Sequence, residues 1–271
     1  MMKSAISILF ASSALALSGA PALAQTAAPA DPAAPAEAQP APADQAAPAD
    51  QAAPAAQAAP AAQGAAPQLT AEQAEAQNKA VADFTAAQQA QAAGNHAEAV
   101  AKLEPSLPVI RDIVSRDPNS IQNAGFLASA LTITANSQGA MGNIDAIPPL
   151  YTEAAPLWMK VYESDKANTG VRGTLVSILV NLGNFNLNQE NKAAAQPNFE
   201  QALAIVKEGR AADPADAELA NAEFSSLIGL NQSTGEASYL EQAKPIGEEL
   251  RAKGTVSAAN QPAVDAILGA A

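Results

Sequence analysis

The stretch "AGNHAEA" holds His96, the single histidine of the chain, and it is the first residue to weigh for chemistry. A Ser-His-Asp relay needs an imidazole held in place by neighbours, and one lying in an expected turn cannot supply it. His96 is therefore read as a helix cap or an exposed loop residue. One histidine and no cysteine leave no nitrogen or sulfur set for a transition metal, so only carboxylates could hold a cation. "GAMGNIDA", residues 139–146, lacks the density of oxygen ligands that a calcium loop requires. Gly-Lys-Ser and Gly-Lys-Thr are both absent, which removes the phosphate-cradling loop. Carboxylate pairs do occur, Glu248 with Glu249 and Asp213 with Asp216. Both pairs fall on expected exposed faces or turns, where solvation or helix capping accounts for them. The expectation is a protein that is not an enzyme, with no catalytic residue, no metal and no cofactor.

The first 24 residues set the compartment. Lys3 precedes an apolar run from about Ala5 to Leu17, followed by Ala22-Leu23-Ala24. That is the layout of a secretory signal peptide cut after Ala24, and the run is too short to span a bilayer comfortably. The sequence thus predicts a periplasmic or secreted protein without stable membrane insertion. The lack of cysteine rules out a lipid-anchored leader and any disulfide, so stability must come from packing. The formal charge is −13, and removing the one positive charge of Lys3 takes it to −14. A chain this acidic has no electrostatic reason to seek nucleic acid or an anionic membrane surface.

Residues 25–68 are Ala, Pro and Gln with a few acids. Within them "APADQA APADQA APAAQA APAAQG", residues 41–64, repeats every six residues with Pro42, Pro48, Pro54 and Pro60 in register. Regular prolines oppose a continuous helix, and nothing here can build an apolar core. The reading is a disordered, semi-extended linker reaching on the order of 100 Å.

From residue 69 to 271 the composition changes and an internal repeat emerges. Asp117, Asp165 and Asp213 are 48 residues apart, and a further step reaches Gln261-Pro262. The same offset relates Pro149, Pro197 and Pro245, Tyr151 to Phe199, Leu182 to Leu230, and Ala195 to Ala243. Each unit reads as two helices. In the third, Val171, Leu175, Ile178, Leu179, Leu182 and Phe185 recur at three- and four-residue steps. Asn168-Thr169 and Asn119-Ser120 are expected caps, "NQEN" at 188–191 the turn, and Phe199, Ala202, Leu203 and Val206 a second amphipathic helix. Pro197 is placed in the first turn of that helix, and Pro156 deeper in its own, where it should bend it. Gly183 is expected to let the two helices close on Phe199, with Ala195 and Ala202 keeping the crossing tight. The aromatics Phe126, Tyr151, Trp158, Tyr162 and Phe224 are assigned to the core, with Trp158 the one whose exposure most needs checking. The fold class is all-α: a helical-hairpin solenoid of about four units with a 48-residue period.

Leu182, Gly183, Asn184, Ala195, Phe199 and Ala202 resemble the tetratricopeptide repeat, which carries Leu-Gly on its first helix and Ala, a large aromatic and Ala on its second. The second unit matches in part through Tyr151 and Ala154, and the resemblance spans roughly residues 70–255. That family repeats every ~34 residues, so the helices here must be longer.

The resemblance implies that the first helix of each unit lines a concave groove for extended peptides. At the 48-residue register, Asn184 is matched by Asn136, Gln88 and Gln232. Four carboxamides would form a ladder able to donate to and accept from a peptide backbone. Arg172 is the lone cation of the first helices in units two and three, which disfavours a clamp on a terminal carboxylate. The expected function is a non-enzymatic protein–protein interaction scaffold with an unidentified peptide or protein partner. The alternative is a self-associating structural or assembly protein of the cell envelope, using Val264, Ile267 and Leu268 of the tail.

Overall fold

The computed structural model describes residues 69–269, and the readings of a leader, a linker and the last two residues lie outside them. Among the described residues the chain is all-α, with ten α-helices and no strand. They are α1 (Ala71–Ala92), α2 (His96–Leu103), α3 (Leu107–Arg116), α4 (Ile121–Ala140) and α5 (Ile147–Ser164). Then follow α6 (Thr169–Asn188), α7 (Lys192–Ala212), α8 (Ala217–Thr234), α9 (Ala237–Lys253) and α10 (Gln261–Leu268).

Helix ends follow local chemistry. The Oγ of Ser120 accepts from the Asn123 N–H at 3.1 Å, and the Asn168 Oδ1 accepts from the Val171 N–H at 3.1 Å. Asp216 does the same for α8, so the three caps satisfy orphan donors 48 residues apart. The residues before them match as well. Asp117, Asp165 and Asp213 close α3, α5 and α7 with φ of −134°, −150° and −134°. At the other end Gly94, Gly142 and Glu190 take φ of 77°, 83° and 58°, each just before an N-cap Asn. Glycine adopts that left-handed backbone freely, while Glu190 pays a steric cost there.

Neighbours in sequence are neighbours in space. Helix α4 packs on α5, α6 on α5 and α7, α7 on α8, and α8 on α9, while α6 also meets α8. The body is thus a multi-helix, repeat-like packing of antiparallel pairs. In the first pair the second helix is broken into α2 and α3 at Glu104–Ser106, where Pro105 cannot donate an N–H. The fourth pair departs from the others: its turn ends on Gly235, and α9 begins at Ala237.

The prolines correct one expectation. Pro149 is the third residue of α5, but Pro197 is the sixth of α7 and Pro245 the ninth of α9. Pro197 is therefore inside the helix and not in its first turn. Its 48-residue register is kept, but the helix starts come at Ile147, Lys192 and Ala237, so the proline moves inward.

The core runs through the stack. Tyr151, Trp158, Tyr162 and Phe224 are buried, and Phe126 is half-buried with its ring edge-on to Phe84 at 5.0 Å. Trp158 is 6 % exposed and its Nε1–H donates to the Thr132 Oγ1 at 2.9 Å. Between α6 and α7 the expected contact is present. A Cβ added at Gly183 would stand 2.5 Å from the Phe199 Cζ, so only glycine fits. Gly229 of α8 presses the same ring from the next pair. The tail helix α10 packs against α9 of its own chain, with Val264 fully buried and Arg251 paired to Asp265 at 2.8 Å.

Candidate functional site

The four carboxamides lie one on each first helix of a pair: Gln88 on α1, Asn136 on α4, Asn184 on α6 and Gln232 on α8. Gln88 and Asn184 are half-buried, and Asn136 and Gln232 are exposed. The first three each stand seven residues before a turn-closing Asn, Asn95, Asn143 and Asn191. The common turn geometry therefore carries them to one register.

Their hydrogen bonding distinguishes them from neighbouring amides. Gln138 donates to Glu104 at 2.6 Å and accepts from Asn143 at 2.7 Å. Asn186 donates to the Leu182 carbonyl and Asn231 to the Glu236 carbonyl, both at 2.9 Å. Asn221 donates to the carbonyls of Ala217 and Thr255. These amides tie helices and turns together. Among the described residues, Gln88, Asn184 and Gln232 make no side-chain hydrogen bond, and no bond links one rung to another. Asn136 makes one, accepting at its Oδ1 from the Tyr151 hydroxyl at 2.6 Å. Burial pushes the Tyr151 phenol up to about 12, so it stays a protonated donor.

The two middle first helices are electrically quiet. Helix α4 carries no charged residue, and α6 carries only Arg172. Arg172 is 8 % exposed; its guanidinium donates to the Lys166 carbonyl at 2.8 Å and packs where a Cβ on Gly209 would meet its Nη1. It serves the α6–α7 packing. The residues read as packing positions are likewise interior: Leu182, Gly183, Ala195, Phe199 and Ala202 are all buried. They set the distance between α6 and α7, and thereby which side of α6 carries Asn184 to the surface.

Other titratable groups do structural work. His96 is the first residue of α2, half-buried, with an Nδ1 that has no hydrogen-bond partner. Asp213 and Asp216 accept backbone N–H groups, and Glu249 pairs with Lys253 and Arg210 at 2.8 Å each. Between α5 and α7 the Tyr162 hydroxyl donates to Glu208 at 3.0 Å, and Lys166 beside it holds the Glu208 carboxyl below its ordinary range. Among the described residues no group of three His, Asp or Glu is placed to hold a metal ion. None of the described helices is long and apolar enough to cross a membrane.

Sequence reasoning missed the burial of Arg172, the second glycine on Phe199 and the Tyr151–Asn136 bond. Gly229 had a legible signal, since a glycine inside a helix costs about 1 kcal/mol and marks a close approach. The fold defines the chain as an all-helical, repeat-like protein. Compared with models of known protein families and with curated proteins, it matches none.

Proposed function

We propose that this is an exported, non-enzymatic interaction scaffold. Residues 69–271 form a tetratricopeptide-like solenoid of four hairpins with a 48-residue period. An extended peptide or protein segment binds along the concave side of α1, α4, α6 and α8. Residues 1–24 direct export to the periplasm or beyond, and residues 25–68 act as a flexible arm. The observation that carries the reading is the set of carboxamides at one register, Gln88, Asn136, Asn184 and Gln232, whose donors are not spent on the chain itself. An amide pairs with the alternating donors and acceptors of an extended backbone, and the lack of exposed charge on α4 and α6 suits that neutral ligand. The conformational recurrence of caps and turns at 48 residues supports the solenoid reading.

Affinity capture from a cell-envelope extract with the full chain tests this, alongside an Asn184→Arg, Gln232→Arg double variant. Those two positions make no internal bond, so the variant should fold as wild type by circular dichroism. A partner retained by wild type and lost by the variant is expected. Equal recovery from both would remove the amide face as the site.

A further inference from the structure

The four rungs are not chemically alike, and the difference lies beneath them. Tyr151 is the 48-residue counterpart of Phe199, and both rings are buried from the second helix of a pair. Phe199 ends in a hydrocarbon enclosed by Gly183 and Gly229. Tyr151 ends in a hydroxyl that reaches Asn136 at 2.6 Å. The counterparts in the first and fourth pairs, Leu103 and Gly247, offer no polar atom either. Only the second pair thus holds its amide from below.

We propose that Tyr151 is a positioning residue: its hydroxyl fixes the Asn136 carboxamide so that this rung presents its N–H donors to a backbone carbonyl of an extended peptide. The inference rests on the groove reading given above. Tyr151 is 7 % exposed and Asn136 is exposed, so the bond turns the amide oxygen inward and leaves the –NH2 arm to solvent. In the structure the phenol donates to the amide oxygen, and the buried hydroxyl has no other partner among the described residues. Asn184, whose register partner on the second helix is Phe199, makes no side-chain hydrogen bond among the described residues and keeps both its donor and its acceptor free to turn. The ladder therefore has one preset rung and one adaptable rung on adjacent pairs. Presetting a side chain removes the ordering cost that binding would otherwise incur.

A peptide selected from a random dodecapeptide library on the immobilised full-length protein is the probe, with titration calorimetry and the side-chain –NH2 resonances of Asn136 as readouts. Asn136→Asp keeps the shape and the bond to Tyr151 but has no N–H, and should weaken binding about tenfold or more. Tyr151→Phe installs the ring the chain itself carries at position 199, and should weaken binding about three- to tenfold. It should also move the two Asn136 –NH2 shifts toward those of an unrestrained asparagine side chain in the free protein, which a purely packing role would not do. Wild-type affinity in both variants, with binding abolished by Asn184→Arg, would overturn the role of Tyr151 and leave the groove standing. Failure to select any peptide, or a peptide indifferent to Asn184→Arg, would overturn the groove and this inference together.

Discussion

Phe199 is where single-residue energetics concentrate. Its ring is fully buried and is met by both Gly183 and Gly229, so two pairs of helices share one side chain. Gly183→Ala would force a methyl to 2.5 Å from the ring, and overpacking of this kind costs roughly 1–3 kcal/mol. Urea unfolding should register that loss as a lower midpoint. Phe199→Ala should cost about 3–5 kcal/mol by opening a cavity between α6, α7 and α8. The two changes should not add, because removing the ring also removes the clash at Gly183. A combined loss equal to the sum of the single losses would sink this picture of the contact.

At the scale of helices, the prolines offer the sharpest comparison. Pro149 sits at the third position of α5, where no intrahelical N–H is required, whereas Pro197 interrupts α7 at its sixth. Pro197→Ala restores a donor to the Ala193 carbonyl and should stabilise by up to about 3 kcal/mol, while Pro149→Ala should change little. Differential scanning calorimetry of the two variants checks the order, and an equal shift would contradict it. Caps act at the same scale. Asn168→Ala deprives the start of α6 of the acceptor now 3.1 Å from the Val171 N–H, a loss of about 1 kcal/mol.

Across the whole molecule, the helical pairs are joined by a few charged links laid over apolar packing. Arg210 of α7 reaches Glu223 of α8 and Glu249 of α9, both at 2.8 Å, and its side chain is 16 % exposed. Arg210→Ala strands two partly covered carboxylates and should lower the thermal midpoint by more than a surface ion pair would. Lys253, then Arg210, hold the Glu249 carboxyl below its ordinary 4.5, and Lys79, then Ser106, hold Asp83 below 3.8. A carboxyl lowered by folding contributes stability that is complete above its unfolded value and lost as pH falls through its folded one. The thermal midpoint should therefore be flat from neutral pH to near 4.5 and decline below it. In Glu249→Gln the decline should be shallower; an unchanged slope would exclude Glu249 from the acid response.

Local chemistry determined much of this protein without any tertiary information. Asn168 before an apolar-periodic run marks a helix start, "NQEN" breaks a chain between two amphipathic stretches, and Gly183 with Phe199 requires a close crossing. Those signals depend on hydrogen bonds and spacing within a few turns, so they can be read in one dimension. The absence of cysteine and the single histidine bounded the chemistry in the same way. What the sequence alone left undecided depends on which surfaces meet. Gly229 finds the Phe199 ring only because α8 stacks beside α6, from 30 positions further along the chain. Arg172 reads only as the lone cation of its helices until the fold buries it against α7, and the depth of Pro197 was misjudged because the helix start is set by the turn and not by the proline register. Only the folded chain joins Tyr151 to Asn136, since burial of the ring and exposure of the amide are properties of two packed helices and of neither alone.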